Sequence, residues 1–376
     1  MQHTETRAVH ASEIYDDQFG AVAPPIYLST TFQRNPDGTF REHLYSRYSN
    51  PNRTALEHAV ANLEQGECAF AFASGLAASM AIIQTLRSGD HILLPDDVYH
   101  GVVAQLNELF ARFGITYSRV DFTNLELVKQ AIRPNTKLVW TESPSNPMLK
   151  ITDLQAVADI AHNAGALVVC DNTWATPILQ RPLELGCDIV FHSATKYIGG
   201  HSDVLQGIVV LKKQNDLAEQ FTRIQMVGGN VPSPFECWLA TRGLKTMPVR
   251  VKAQSESAER VVEFLLHHPK VENVLYPGLE NHPGHNIARK QMQHAGAMLS
   301  FLVKGNGNDA MNVANSTKLF THATSLGAVE SLIEHRASVE GAGSTTPQTL
   351  LRLSVGLEHP YDLIADLERA LTDGFR

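Results

Sequence analysis

The sequence predicts an α/β protein in which a mostly parallel sheet with helices on both faces is followed by a smaller C-terminal α+β domain. Three observations carry that prediction. Between residues 52 and 212, short apolar runs alternate with stretches of helical periodicity, which is the signature of βαβ units buried on both faces. Beyond about residue 240 the alternation weakens and one long helical stretch takes over. The first 50 residues carry neither pattern.

Taken in order, residues 1–50 hold the turn formers "NPDG" and few long apolar runs, and read as an arm that lies on something else. The helix-like "NRTALEHAVANLEQ" then leads to the strand-like "CAFAFA", and "ASMAIIQTL" to "HILLP". "VVAQLNELFARF" precedes "ITYSRV", "NLELVKQAI" precedes "KLVWTES", and "DLQAVADIAHNAG" precedes "ALVVCDN". Two further runs, "DIVFHS" and "GIVVLK", complete a domain placed at 51–245. Residues 246–376 form the second domain: the helix "VKAQSESAERVVEFLLHH", the strand-like "AMLSFLV", "TKLFTHAT" and "LLRLSVGLE", and a closing amphipathic helix, "PYDLIADLERALTDGF".

Composition narrows the function classes. At 376 residues, with 43% hydrophobic and 19% charged residues, the chain is long enough for two ordinary globular domains. Its formal charge of −8, with no basic run, argues against nucleic acid and anionic membranes as partners. Cys68, Cys170, Cys187 and Cys237 are far apart and form no C-x-x-C pair, which favours buried thiols in a reducing compartment. There is no apolar signal core at the N-terminus and no membrane-length apolar stretch, so a cytoplasmic protein is expected. The "HPGH" at 282–285 reads as a turn opening a helix; no metal site is expected.

Ligands of parallel sheets bind beyond the carboxyl ends of the strands, so the polar residues that close each apolar run come first. Those residues are Ser74-Gly75, Glu142, Asp171, and the trio Ser193, Thr195 and Lys196. Ser-Gly opening a helix after a buried strand leaves backbone N–H groups and the helix dipole facing the strand end, a phosphate site in form. The same dipeptide also occurs for steric reasons alone, and a strand-end lysine can simply snorkel to solvent. The combination is more specific. A phosphate turn, an amine whose pKa burial can lower and a strand-end carboxylate suit the phosphate, aldehyde and pyridinium nitrogen of pyridoxal phosphate.

At these residues the chain resembles the Cys/Met-metabolism (transsulfuration) family of fold type I pyridoxal-phosphate enzymes. That family includes the cystathionine γ-lyases, γ-synthases and β-lyases and methionine γ-lyase. The resemblance rests on "SATKYIGGHSD" around Lys196 and, in order, on "YSRYSNP", "ASGLAA", "DDVYHG", "ESPSNP", "VCDNTWATP", "SLGAVESLIEH" and "LLRLSVGLEH". It implies that Lys196 bonds the cofactor's aldehyde and then moves the substrate's Cα proton. Asp171 would pair with the pyridine nitrogen. Gly75 and Leu76, with Ser193 and Thr195, would cradle the phosphate. Tyr99 would stack on the ring and act as acid or base toward the leaving group, and Asn146 would lie near the ring oxygen. Arg352 would clamp the substrate carboxylate, helped by Ser325 and Asn146. Tyr45 and Arg47 would reach the phosphate of a neighbouring subunit, which makes the arm an intersubunit device and implies a homo-oligomer, a tetramer built from dimers that share active sites.

The chain also departs from the family. Thr324 stands where the γ-enzymes usually carry Glu, and Ala104 where they carry Arg. His100 follows the stacking Tyr99, and Arg336 replaces a usual proline. Leu326 stands where β-lyases often have Trp, and no Cys lies two residues after Tyr99, which disfavours β-lyase and methionine γ-lyase. His192 and His201 flank the lysine and read as bystanders, with Glu142 a structural support. The resulting expectation is an enzyme acting at Cγ of a sulfur-containing or O-acylated amino acid, of cystathionine γ-lyase type. The alternative is a γ-synthase-type replacement of an O-acyl group by cysteine. An aminotransferase and a silent binding protein are the less favoured readings.

Overall fold

In the computed structural model, which describes residues 2–11, 14, 16, 18–340 and 346–375, two sheets sit on one long helix. Strands β1 (Cys68–Phe72), β2 (His91–Pro95), β3 (Thr116–Val120), β4 (Thr136–Glu142), β5 (Leu167–Asp171), β6 (Ile189–Ser193) and β7 (Gly207–Leu211) form the larger. Their order is β1-β7-β6-β5-β4-β2-β3. All pairs are parallel except those that β7 makes with β1 and β6. The central strands read as unbroken apolar runs because both faces are covered. Val190, Ile208 and Val210 meet the helices Pro51–Glu64 and Pro234–His267, while Ile189, Val209 and Leu211 face the helices Gly75–Ile83 and Asp216–Gly228.

The smaller sheet contains β8 (Val271–Leu275), β9 (Met298–Val303), β10 (Thr321–His322), β11 (Leu332–His335) and β12 (Leu350–Ser354) in the order β10-β11-β12-β9-β8. It is antiparallel apart from the short β10–β11 pair. Val261 and Leu265 of the long helix, Val313 of the helix Gly307–Ser316, and Leu363 and Leu367 of the helix Pro360–Asp373 cover it. Removing any of these fully buried aliphatic side chains from water stabilises the fold by about 1.5–3 kcal/mol.

The long helix begins seventeen residues before the helical signal at Val251. Ser233 accepts from the Glu236 N–H while the Glu236 carboxylate returns to the Ser233 N–H, a capping box with Pro234 in the first turn. Pro248 lies inside the helix, where it removes one backbone donor. That proline hides the continuity from a periodicity reading. The helix therefore runs unbroken through residue 245, where the sequence pattern changes.

The predicted absence of pattern in residues 1–50 matches a segment that shows, among its described residues, one short helix, Thr4–Val9, and one isolated bridge, Thr31–Tyr45. Val22 is fully exposed, and Phe19 and Leu28 are exposed by 80% and 70%. Cys170, Cys187 and Cys237 are buried and Cys68 is partly buried, all as free thiols. Among the described residues no helix is long and apolar enough to cross a membrane.

Candidate active site

Register aligns the strand ends. Glu142 of β4 lies beside Asp171 of β5, and Asp171 beside Phe191 of β6, so Glu142, Asp171 and Ser193 emerge at one edge. There a cleft of about 550 Å³ opens, lined by Gly75, Leu76, Tyr99, Asn146, Asp171, Ser193, Thr195, Lys196, Ser325 and Arg352 among others. These are ten of the twelve sequence-predicted site residues. Tyr45 and Arg47 are the other two, and the fold does not bring them to this cleft. They line a separate hollow with Gly229 and Pro232. The Arg47 guanidinium donates to the Met226 carbonyl and lies over the Tyr48 ring at 4.9 Å.

The turn after β6 is gripped by the long helix. Arg250 donates through Nη2 to the Tyr197 carbonyl at 2.8 Å, and a Cβ on Gly243 would sit 2.2 Å from the Gly199 carbonyl. Only glycine permits that approach. The Lys196 side chain is thereby aimed across the cleft, where Nζ donates to Ser325 Oγ at 2.6 Å. Burial, reinforced by the Arg352 charge, lowers the amine's pKa from 10.5 to about 8. A buried amine of that kind spends more time unprotonated at neutral pH than an exposed one, and is a competent nucleophile and base.

Asp171 is only 8% exposed and accepts from the Thr173 N–H at 2.9 Å. Burial pushes its carboxyl up, opposed by the Thr173 hydrogen bonds and by the charges of His192 and Lys196. Glu142, also buried, is pushed well up by burial and by Asp171, and accepts from the Tyr99 N–H at 3.1 Å. Desolvated acids at a cleft wall call for a cationic partner.

At the same strand edge Ser74 caps the helix Gly75–Ile83 by accepting from the Ala77 N–H, leaving the Gly75 and Leu76 amides without protein partners among the described residues. A Cβ on Gly75 would lie 3.0 Å from Ser193 Oγ, and one on Gly207 would lie 2.2 Å from the Ser74 carbonyl. Both glycines let strand and cap close up around the amides. Gly207→Ala is therefore expected to lower stability by about 1–3 kcal/mol. Urea unfolding checks this, and an unchanged midpoint would refute the packing argument.

Arg352, from β12, is buried and tied on three sides. It donates to Asn146 Oδ1 at 2.9 Å and the Ser325 carbonyl at 2.7 Å, and pairs with Glu334 at 2.5 Å. Burial lowers its pKa to about 10, so it stays charged.

Glu334, Thr173 and Gln206 escaped the sequence reading. Glu334 shows there only as an acid between Ile333 and His335 in an apolar strand, which is itself a signal for a paired buried charge. Thr173 accepts from the Ser193 N–H at 2.8 Å, and Gln206 exchanges backbone bonds with the Thr195 hydroxyl. His192 and His201 do not line the cleft. His192 pairs with the buried Glu64 at 2.6 Å, and His201 bonds the Gly199 carbonyl. His285 meets the Pro277 carbonyl in the "HPGH" turn, and among the described residues no group of side chains could hold a metal.

A depressed lysine, a buried aspartate and a capped helix terminus around one cleft at the strand ends of such a sheet define a pyridoxal-phosphate enzyme. The group fits the residues present, since among the described residues the Asp171 carboxylate has no ion-pair partner and two amides stand free at the cradle. Comparison with known proteins agrees. Residues 5–372 match the family model of Cys/Met metabolism PLP-dependent enzymes, and the chain belongs to that family. It is 45% identical to a cystathionine beta-lyase of Coxiella burnetii, with 98% of each chain covered. It is 46% identical to a cystathionine gamma-synthase of Mycobacterium bovis, covering 97% of this chain and 96% of that one. With a cystathionine gamma-lyase of Bacillus subtilis the identity is 44%, and 98% of each chain is covered. The crystal structure of metB from Corynebacterium glutamicum superposes with a TM-score of 0.96 at 45% identity, covering 99% of this chain and 98% of that one. The protein is thus a transsulfuration-type enzyme with pyridoxal 5'-phosphate as cofactor, acting on amino-acid substrates.

Proposed function

We propose that the enzyme acts at Cγ of a sulfur-containing or O-acylated amino acid, in the manner of a cystathionine γ-lyase. The observation that carries this reading is the Lys196–Ser325–Arg352 chain, which places a weakly basic amine next to the anchor for a substrate carboxylate. Leu326 lines the same cleft and leaves apolar room beside that anchor.

In this reading Lys196 holds the cofactor through its aldehyde, Asp171 faces the ring nitrogen, and Gly75, Leu76, Ser193 and Thr195 hold the phosphate. When bound, the cofactor supplies an electron sink for the carbanion at the substrate's α-carbon. Arg352 binds the substrate carboxylate, with Asn146 and the Ser325 carbonyl fixing the plane of its guanidinium. Lys196, as a free amine, would take the Cα proton, would be relieved of it by the bound cofactor, which can hold a proton as well as the electron pair, and would then be free to take a Cβ proton. Tyr99, half exposed at the cleft mouth and held through its backbone by Glu142, gives a proton to the departing γ-sulfur. Cystathionine and water then give cysteine, ammonia and 2-oxobutanoate.

A second reading, γ-replacement of an O-acyl group by cysteine, uses the same residues and is favoured by the likeness to the mycobacterial gamma-synthase. One assay separates them. Cystathionine, homocysteine, methionine and O-acyl-homoserine are supplied with and without cysteine while 2-oxo acid, ammonia and sulfide are followed. 2-Oxobutanoate from cystathionine supports the γ-lyase reading. Cystathionine made from the ester and cysteine supports replacement, and pyruvate points to β-elimination. Silence with all of them overturns the Cγ reading.

The arm supports an assembled enzyme. Its exposed Phe19, Val22 and Leu28, with Leu205 exposed by 58% at the cleft rim, form apolar surface suited to a second copy. In this reading Tyr45 and Arg47 serve the neighbouring subunit's phosphate, in a homotetramer of dimers. Arg47→Ala is expected to weaken cofactor retention about tenfold in dialysed oligomer. Cofactor absorbance per subunit measures this, and unchanged content would refute the intersubunit role.

A further inference from the structure

A cavity of about 730 Å³ opens between the helix Thr4–Val9, residues 177–185, the long helix and the helix His285–Gln291, and shares no lining residue with the cleft. Its size suits a small-molecule ligand. Four Lys or Arg side chains line it, Arg7, Arg181, Lys252 and Lys290, against two carboxylates, Glu5 and Glu184. This local surplus of positive charge stands in a chain whose formal net charge is −8.

The two arginines converge on one acceptor. Arg181 Nη2 donates to Thr4 Oγ1 at 2.6 Å, and Arg7 Nη2 donates to the same oxygen at 3.2 Å. Arg7 Nη1 is taken by the Asn62 carbonyl at 2.9 Å. Arg181 Nη1 meets the Glu184 carboxylate only at 3.7 Å, beyond hydrogen-bond reach. Burial and then the Arg181 charge lower the Arg7 pKa, with Glu184 opposing them, so two like charges share one loose counterion. Lys252 and Lys290, both exposed, make no ion pair or hydrogen bond among the described residues.

An independent observation points the same way. Ser255, three residues after Lys252 on the long helix, lines the cavity at 1% exposure, and its hydroxyl has no hydrogen-bond partner. A helical serine often returns its hydroxyl to the carbonyl four residues back, and this one does not. Nε of Arg7 and of Arg181 is likewise buried without a partner. Unspent donors of this kind are costly unless a ligand takes them up.

The wall is also fixed in advance. Gln180, 2% exposed, donates to the Ser143 carbonyl at 2.9 Å and to Asn172 Oδ1 at 3.2 Å, the residues that follow Glu142 and Asp171. Gln291 Nε2 donates to Gln180 Oε1 at 3.2 Å. A preformed wall presents its donors at little ordering cost. A neutral ligand leaves the surplus charge unmatched, whereas an oxyanion with several acceptor oxygens can take bonds from both guanidiniums and from the lysines.

We infer that this cavity is an anion-binding site separate from the cofactor's, built for a compact oxyanion of two or more negative charges, a phosphoryl compound or a polycarboxylate. Holoenzyme, in which the cofactor fills its own phosphate cradle, is titrated calorimetrically with sodium pyrophosphate and with citrate, at an ionic strength held constant with potassium chloride. At least one of the two is expected to bind at one site per subunit with a Kd below about 1 mM, and the tighter of them tells phosphoryl from carboxylate chemistry. Arg181→Gln is expected to weaken binding about tenfold or more. The double variant Lys252→Gln, Lys290→Gln changes two exposed side chains, guards against a misfolded Arg181 variant, and is expected to weaken binding about fivefold. Three results overturn the inference: no saturable binding of either anion, a Kd within about twofold of native in either variant, or binding that L-norleucine blocks. The last would place the anion at Arg352 in the cleft.

Discussion

Lys196→Met is expected to lower kcat/KM by about 10³-fold or more, because one side chain serves both as cofactor anchor and as base. Steady-state turnover of the best substrate measures it, and activity within tenfold of native would refute the assignment. The same variant carries a second signature, in the apoprotein. The amine's folded pKa of about 8 lies below its ordinary 10.5. The unfolded chain therefore binds the proton more readily between those values, so stability rises with pH across the window. Below about pH 8 the buried ammonium costs about 3 kcal/mol, and methionine removes that cost. Apo Lys196→Met should be more stable than apo native protein at pH 7, and the gain should fade as pH climbs toward 10.5. A pH-independent difference would mean that packing, rather than charge, set it.

Asp171→Asn is expected to reduce kcat/KM by about 10²- to 10³-fold while the fold persists, since the amide keeps the shape and the Thr173 N–H bond. What it removes is the buried negative charge beside the ring nitrogen's place. Asp171→Glu keeps the charge but moves it, and should recover part of the rate. The absorbance of the bound cofactor should shift in the asparagine variant and hold in the glutamate one. Equal rates for asparagine and aspartate would show that the charge is not used.

Much of this arrangement was legible in the sequence for a physical reason. Strands buried on both faces cannot hide their composition, so "ALVVCDN" and "DIVFHS" announce their ends, and the residues at those ends fall into one cleft because parallel register aligns them. Motif resemblance supplied Tyr99, Asn146, Ser325 and Arg352, which come from loops and from β12, and the fold brings all four to Lys196's cleft. Pairings between distant segments were not legible. Glu334 meets Arg352 across β11 and β12, and Arg250 reaches Tyr197 over 53 positions; nothing local in either stretch encodes the partner. Periodicity alone gives the long helix too late a start because Pro248 interrupts it, whereas the capping box at Ser233 determines where it begins. Tyr45 and Arg47 have no place at this cleft that a single chain could reveal.

Ser325 is held at φ +91°, a conformation that costs a serine of order 1–3 kcal/mol. Its hydroxyl takes the Lys196 proton donor while its carbonyl takes Arg352. One residue thus answers to both the catalytic amine and the substrate anchor. Reciprocity follows: if carboxylate arrival at Arg352 loosens the amine by some factor, freeing the amine improves carboxylate binding by the same factor. Docking and activation are then a single equilibrium read at two ends, and the order in which they occur is a matter of concentration rather than of design.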